Sequence, residues 1–96
     1  MRRVVSDLVA LGPMPDENAE ADTIDAWSDL LDSIQDPLSN EEAEALAKCF
    51  PPDLGYGVGL TLLHLVETAP DWSSIANTIN TEEWRSRALR RIANAR

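Results

Sequence analysis

The sequence contains few of the residues that catalytic, metal-binding and disulfide-bonded proteins require. Its 96 residues include one cysteine, Cys49, and one histidine, His64. A single cysteine allows no internal disulfide and is typical of a reducing compartment, so we expect a cytoplasmic protein. There is no Cys or His pair with zinc-site spacing, and no acidic stretch has the glycine-centred spacing of a calcium loop. We therefore expect no metal and no cofactor.

Long apolar runs are also missing, since none approaches the roughly 18 residues that span a bilayer. The N-terminus begins with two arginines, as an export signal does. However, Asp7 interrupts the apolar run that follows, and no small-residue cleavage site comes after it. We expect residues 1–96 to form one domain, because a chain of this length has room for a single core.

Basic residues are scarce over most of the chain. Between residues 4 and 80, fifteen Asp and Glu face one basic residue, Lys48, whereas residues 84–96 contain five arginines and no acid. The net charge is −9. Such a surface repels nucleic acid and anionic membranes but attracts a basic protein. We therefore expect a basic protein partner, and no nucleic acid, membrane or small-molecule substrate.

Apolar residues recur at helical spacing, and no alternating run of β-branched residues is long enough to predict a strand. We predict an all-α fold, a compact bundle of about five helices around an apolar central helix. The first two predicted helices are residues 2–11 and a segment from Asp22 or Thr23 to the residue before Pro37. The third runs from a Ser39–Glu42 capping box to Pro51, and the fourth runs from an Asp53 cap to Pro70. A short helical piece within "PDWSSIANTIN" precedes the fifth helix, which begins at an Asn80 cap.

The same periodicity predicts which side chains are buried. The central helix is apolar nearly all round from Leu60 to Val66. The glycines of "GYGVG" before it do not form a phosphate loop, because the lysine and the preceding strand of that motif are missing. We therefore predict that these glycines are structural and allow irregular backbone or close packing. The predicted buried faces are Val4, Val5, Leu8 and Val9 in the first helix, Ile24, Trp27, Leu30, Leu31 and Ile34 in the second, Ala43, Leu46, Ala47 and Phe50 in the third, and Trp84, Ala88, Leu89 and Ile92 in the last.

Five aspartates lie on one face of the predicted second helix, at gaps of 3, 4, 3 and 4 residues. At about 100° per residue this face is almost opposite the apolar one. Like charges four residues apart destabilise a helix by about 0.2 to 0.5 kcal/mol, and no lysine or arginine lies among them. A solvated face that keeps the protein soluble is the alternative, although such faces normally mix charges of both signs. We call this face the aspartate ridge and predict that it binds the partner; it comprises Asp22, Asp25, Asp29, Asp32 and Asp36.

Other candidate sites have weaker signals. His64 precedes Glu67 by three residues, and the two could form a catalytic pair. A lone histidine in an apolar helix is more often a core residue with one hydrogen bond, and no serine or cysteine nucleophile has a matching spacing. Arg87, Arg90 and Arg91 could bind phosphate, pair with the acidic body, or follow the preference for cations late in a helix. We predict no catalytic residue and no enzyme activity.

The stretches "DPLSNEEAEAL" and "FPPDLGYGVGLTLLHLVETAPDW" resemble small acidic actinobacterial proteins with a Leu-Leu-His-Leu-(Val/Ile)-Glu-Thr-Ala-Pro core. Some of these are similar to immunity proteins of contact-dependent growth inhibition and related polymorphic toxin systems. The resemblance covers residues 36–72 and includes no catalytic motif, and the relatives often have a bulkier residue where this chain has Gly59 and Leu60. It implies a protein that binds and blocks a cognate toxin domain made by the same cell. Many such toxins are basic nucleases, whose phosphate-binding cleft an acidic ridge would occupy.

Two further hypotheses remain open. The protein could be an acidic adaptor or regulatory module for a basic intracellular protein, or an enzyme that uses His64 and Glu67. The gene immediately upstream separates immunity from the adaptor hypothesis, because an immunity protein is expected beside a large secreted protein with a basic C-terminal domain.

Overall fold

The structure is a computed structural model that describes residues 1–35, 37–53 and 57–94. These residues form six α-helices, with a 3-10 turn after the fifth, and contain no strand, which confirms the all-α class. No helix among them is long and apolar enough to cross a membrane. The helices are α1 (Arg3–Ala10), α2 (Ala21–Asp32), α3 (Asn40–Leu46), α4 (Val58–Val66), α5 (Trp72–Ile75) and α6 (Glu82–Asn94), and the 3-10 turn (Ala76–Thr78) follows α5 directly.

The helices enclose one core. Trp27, Phe50, Leu62, Leu63 and Trp84 are at most 1% exposed, and full burial of a large apolar side chain contributes about 1.5 to 3 kcal/mol. Helix α1 packs on α2 and α3, α4 packs on α2 and α3, and α6 packs on the 3-10 turn. The radius of gyration, 12.4 Å, is that of a compact chain of this length.

Helix α4 is less buried than its sequence predicts. Leu60 is 37% exposed, and Thr61 and His64 also face solvent. The buried positions are Val58, Gly59, Leu62, Leu63 and Val66, which lie on one side of the helix. That α4 is the centre of the bundle stays a prediction.

Three helices end earlier than predicted. Helix α4 stops at Val66 instead of reaching Pro70, because the Thr68 and Ala69 amides bond Leu65 and Val66 in tighter turns. Helix α2 stops at Asp32 because the Ser33 hydroxyl bonds the Leu30 carbonyl at 2.7 Å and the Ile34 amide bonds Leu31 in a tighter turn. Helix α3 stops at Leu46, five residues before Pro51, where the helix was predicted to end, because the backbone after Leu46 bonds to remote segments instead of continuing the helix.

The irregular 47–53 segment receives these remote bonds. The Met14 amide donates to the Cys49 carbonyl at 2.9 Å, and the Asn80 amide donates to Ala47 at 3.1 Å. The Asn80 side chain also accepts from the Phe50 amide at 3.0 Å and donates to the Phe50 carbonyl at 3.1 Å. Buried Pro51 follows Phe50 within this segment. The segment therefore connects the loop before α2 with the start of α6.

Of the three predicted helix caps, one is confirmed and two are wrong. The capping box of α3 is present, with Ser39 and Glu42 each accepting from the other's amide at 3.0 to 3.1 Å. Asp53 does not cap α4, which begins after Gly57 at φ +86°; its carboxylate accepts from the Glu17 amide at 2.9 Å. Asn80 does not cap α6 either, because its side chain is bonded to Phe50. The Thr81 hydroxyl accepts instead from the Trp84 amide at 3.3 Å.

Most predicted core positions are buried, with two clear exceptions. Val9 is 40% exposed and Leu89 is 37% exposed, so their predicted burial is wrong. Each lies 100° round its helix from a fully buried neighbour, Leu8 or Ala88, and the core contacts only a narrow stripe of α1 and α6. Four other predicted core residues are only partly buried: Val4, Leu30, Ile34 and Ile92.

An ion pair between the partly exposed Arg2 and the buried Glu42 carboxylate holds the N-terminus against α3. The Glu42 side chain is 4% exposed and lies 3.1 Å from Arg2 Nε, and it also accepts from the Arg2 amide at 3.1 Å. The Arg2 guanidinium donates further to the carbonyls of Gln35 and Pro37. Burial by itself raises the pKa of the Glu42 carboxyl, but hydrogen bonds from the Ser39 and Arg2 amides and the Arg2 charge outweigh it, so the pKa lies below the ordinary glutamate value.

Gly59 makes room for the Trp84 ring of α6 against the start of α4. A Cβ at this position would clash with the Trp84 ring, coming within 2.9 Å of Cη2 and closer still to Cζ2. The ring has little freedom to move, because its Nε1 donates to the Asp53 carbonyl at 3.0 Å and it packs against Phe50 at a centroid distance of 5.3 Å. The close packing expected of these glycines is thus observed at Gly59.

We predict that Glu42→Gln lowers the free energy of unfolding by about 1 to 3 kcal/mol at pH 6, because the ion pair loses its negative charge. A depressed folded-state pKa stabilises the fold fully above the unfolded glutamate pKa of about 4.3, and this contribution is lost as pH falls through the folded value. The difference in free energy of unfolding between wild type and variant, the stability gap, should therefore narrow below pH 4. Urea denaturation from pH 3 to 7 measures it, with Glu44→Gln as the exposed control on α3. A gap that stays constant with pH would contradict this role for Glu42.

We predict that Gly59→Ala lowers the free energy of unfolding by about 1 to 3 kcal/mol through overpacking. The alanine's better helix propensity, about 1 kcal/mol in a helix interior, offsets little of this because Gly59 is the second residue of α4. A double-mutant cycle with Trp84→Leu, read by urea denaturation, assigns the cause. Gly59→Ala should lower the free energy of unfolding much less in the Trp84→Leu protein than in the wild type. An equal loss in both proteins would show that the Trp84 ring is not the obstacle.

Candidate functional site

Four of the five ridge aspartates lie on the solvent face of α2. Asp22, Asp25, Asp29 and Asp32 are all exposed, while the opposite face of the helix buries Ile24, Trp27 and Leu31. The fifth, Asp36, lies outside the described residues. The helical periodicity therefore separates the acidic and apolar faces as the sequence predicts, and the partner-binding role of the ridge stays a prediction.

The four ridge carboxylates have no salt bridge and no hydrogen bond within residues 1–35, 37–53 and 57–94. Asp22 lies in the first turn of α2, where the helix dipole favours an anion, whereas Asp32 ends the helix, where the dipole opposes it and no basic residue compensates. The arginines found in ion pairs bind other acids, in the pairs Arg2–Glu42, Arg87–Glu83 and Arg91–Glu67. Repulsion along the ridge is thus not relieved by this part of the chain.

An open apolar cleft of about 370 Å³ borders the ridge, and we call it the α2 cleft. One wall is the side of α2 that contains Asp22, and the other is the loop that follows α1. Its lining residues are Leu11, Pro13, Pro15, Asp22, Thr23, Ala26 and Trp27. The sequence alone did not predict this cleft, because no periodicity relates the loop to α2. The available signal for its apolar wall was the side chains of Leu11 and the two prolines.

His64 and Glu67 are not hydrogen-bonded to each other within the described residues. The Glu67 carboxylate accepts from Arg91 Nε and Nη2, both at 2.9 Å, which is a bidentate ion pair between α4 and α6. The expectation that His64 is a core residue is wrong, because it is exposed. That the protein has no catalytic residue stays a prediction. It borders a smaller cleft of about 170 Å³ between α2 and α4, together with Leu31, Thr61, Leu65 and Thr68.

The arginines of α6 are engaged in three separate ways. Arg91 binds Glu67, Arg87 lies over the Trp84 ring at 5.2 Å from its centroid, and Arg85 Nε donates to the Ile79 carbonyl at 3.3 Å. Arg90 is exposed. Of the alternatives weighed for this helix, pairing with the acidic body describes Arg91 best.

No group of three or more His, Cys, Asp or Glu within the described ranges could hold a metal ion. Cys49 is free and buried, and burial raises the pKa of its thiol, which disfavours the reactive thiolate. Gly57 and Gly59 have structural roles at the start of α4, while Gly55 lies outside the described part of the chain.

Comparison of the chain with protein-family models, with curated proteins and with solved structures finds no match. The resemblance of residues 36–72 to immunity proteins therefore stays a hypothesis.

Proposed function

We propose that this protein is a non-enzymatic immunity protein that binds and neutralises a basic toxin domain, of nuclease type, through the aspartate ridge. The observation that carries the proposal is the row of four exposed carboxylates on α2 with no ion-pair partner in the described residues. The proposal places the protein in the cytoplasm, where its toxin would act, as a single domain with no metal or cofactor.

The ridge has an energetic cost that a cationic partner would remove. Asp25 and Asp29 are one turn apart, a like-charge spacing that destabilises a helix by about 0.2 to 0.5 kcal/mol. Lysine or arginine side chains of a bound protein would turn this repulsion into attraction. The relief occurs only in the complex, so the free energy of repulsion adds to the free energy of binding.

The ridge would also set the rate of association. A one-sign patch raises the local concentration of an oppositely charged partner, and such steering accelerates binding at low ionic strength. A nuclease has a cationic cleft for phosphate, and regularly spaced carboxylates on a rigid helix can occupy such a cleft. Fast association matters for an inhibitor that must bind its toxin before the toxin reaches nucleic acid.

The acidic adaptor hypothesis uses the same surface with a different basic partner, and a growth experiment separates the two. The C-terminal domain encoded by the gene immediately upstream is expressed under tight control, alone or with this protein. Under the immunity proposal the domain arrests growth and the wild-type protein restores it. Arrest that continues in the presence of the folded protein would contradict immunity and leave the adaptor hypothesis.

We predict that Asp25→Asn, Asp29→Asn and Asp32→Asn together leave the fold intact or slightly more stable and weaken binding of the toxin domain. If the ridge lies at the rim of the interface, association slows at low salt and the effect fades at high salt. If the carboxylates are buried against lysine or arginine, dissociation accelerates, at about 2 to 5 kcal/mol per truncated pair. Binding kinetics at two salt concentrations distinguish the two cases.

The matched control removes three exposed carboxylates away from the ridge, with Asp7→Asn, Glu44→Gln and Glu82→Gln. Both triple variants have the same net charge, so a purely global charge effect would slow both equally. Circular dichroism and urea denaturation check that each is folded. Wild-type kinetics of the ridge variant at both salt concentrations would reduce the ridge to a solvated face.

A further inference from the structure

We propose that the α2 cleft is the apolar half of the same binding site, and that it takes one aliphatic side chain carried on a lysine- and arginine-rich segment of the partner. This inference rests on the proposed function. It adds the chemistry of the partner segment, with an apolar anchor in the cleft and cations beside it on the ridge.

The cleft has the size and lining of an anchor site. Its volume of about 370 Å³ is near the lower end of the range for ligand pockets, roughly 300 to 1,000 Å³, which fits a side chain better than a whole helix. Leu11 is 51% exposed at its edge, so part of its apolar surface is available for contact with a bound side chain. Pro13, Pro15 and Ala26 extend the apolar surface between Leu11 and α2.

The wall opposite α2 is held in place before anything binds. Met14, between the two lining prolines, is 2% exposed, and its amide is bonded to Cys49. Further along the loop, the Glu17 amide is bonded to the Asp53 carboxylate at 2.9 Å. Pro15 restricts the backbone between these two bonded positions, and Pro13 restricts it just before the first. Little ordering is therefore needed on binding, which favours affinity.

The surrounding charge identifies the occupant. Asp22 belongs to both the cleft and the ridge, and residues 11–32 contain seven Asp and Glu and no Lys, Arg or His. An acidic or uncharged segment would bury its apolar side chain beside the ridge carboxylates, which have no ion-pair partner within the described residues, whereas a basic segment would pair with them. At about 1.5 Å per helical residue, Asp25 and Asp29 lie about 4.5 and 10.5 Å along the axis from Asp22. An extended chain covers that distance in about one to three residues, so the cations are expected within three residues of the anchor.

The two halves of the site would act on different rate constants. Ridge charges act chiefly on association, while an apolar anchor in a desolvated pocket acts chiefly on dissociation. An apolar centre with a charged rim is also the usual composition of protein interfaces. This division allows each half to be tested separately.

The test uses two peptides, Gly-Lys-Lys-Gly-Leu-Gly-Lys-Lys-Gly and the same peptide with serine in place of leucine, titrated into the isotopically labelled protein and followed by NMR. The leucine peptide should bind about tenfold more tightly, and the backbone amides of residues 11–15 and 22–27 should shift. Ala26→Leu, which fills the cleft and keeps a good helix former, should abolish this preference. Ala93→Leu, the same change at an exposed position of α6, should preserve it. If Ala26→Leu does not fold, Thr23→Leu fills the cleft from an exposed position.

The outcomes separate this inference from the proposed function. Equal binding of both peptides to the wild type, or an unchanged preference in the cleft-filling variant, would overturn the anchor site. The ridge variant should bind both peptides more weakly at low salt and keep the ratio of their two affinities. If its affinities equal those of the wild type, the result contradicts the role of the ridge and leaves the anchor site intact. If Gly-Glu-Glu-Gly-Leu-Gly-Glu-Glu-Gly bound as tightly as the lysine-containing leucine peptide, the assignment of a basic segment as the occupant would be overturned. A concentration-dependent dimer that Ala26→Leu dissociates would show that a second copy of the chain covers the cleft, and would overturn the partner assignment.

Discussion

The hydrogen bonds of the irregular 47–53 segment hold the remaining parts of the structure in position. The carbonyls of Ala47 and Cys49 accept from Asn80 and Met14, which brings the start of α6 and the loop before α2 to the end of α3. The Asp53 carbonyl accepts from the Trp84 indole in the same region. A buried backbone group left without a partner costs about 1 to 3 kcal/mol, so these bonds strongly favour one arrangement. The wall of the α2 cleft depends on this segment, because its loop is bonded there.

The sequence predicts most of this fold where local rules decide and fails where remote partners decide. Helical periodicity predicts the all-α class and the buried side of α2. The capping box of α3 forms because its two residues, Ser39 and Glu42, are only three positions apart in the chain. Asp53 and Asn80 look like helix caps in the sequence, yet each bonds a distant backbone amide, of Glu17 or Phe50. A short polar side chain before a helix is equally able to cap it or to bond elsewhere. Only the tertiary arrangement selects between the two.

The same distinction applies to the candidate site. The exposure of the ridge follows from its spacing opposite an apolar face. The absence of internal cations around its described residues does not follow from that spacing, because the arginines of α6 could in principle have paired with any acid. The fold sends Arg91 to Glu67 and Arg87 to the Trp84 ring. The α2 cleft was beyond sequence reasoning because it exists only where a loop and a helix face each other, and no periodicity encodes that distance.

Under the proposed function, the position of the site on α2 sets the order of events in binding. A rigid helix presents the ridge carboxylates at fixed intervals, and the cleft beside it is apolar and already formed, so neither part has to rearrange to hold a partner. The Glu67 carboxylate is bound by Arg91 and His64 faces solvent on α4, and neither residue lines the α2 cleft. Charge on the ridge can act over several ångströms of solvent, whereas the cleft acts only on contact. A partner would therefore be attracted first by the ridge and retained afterwards by the cleft, which is the order that a fast and long-lived inhibitor requires.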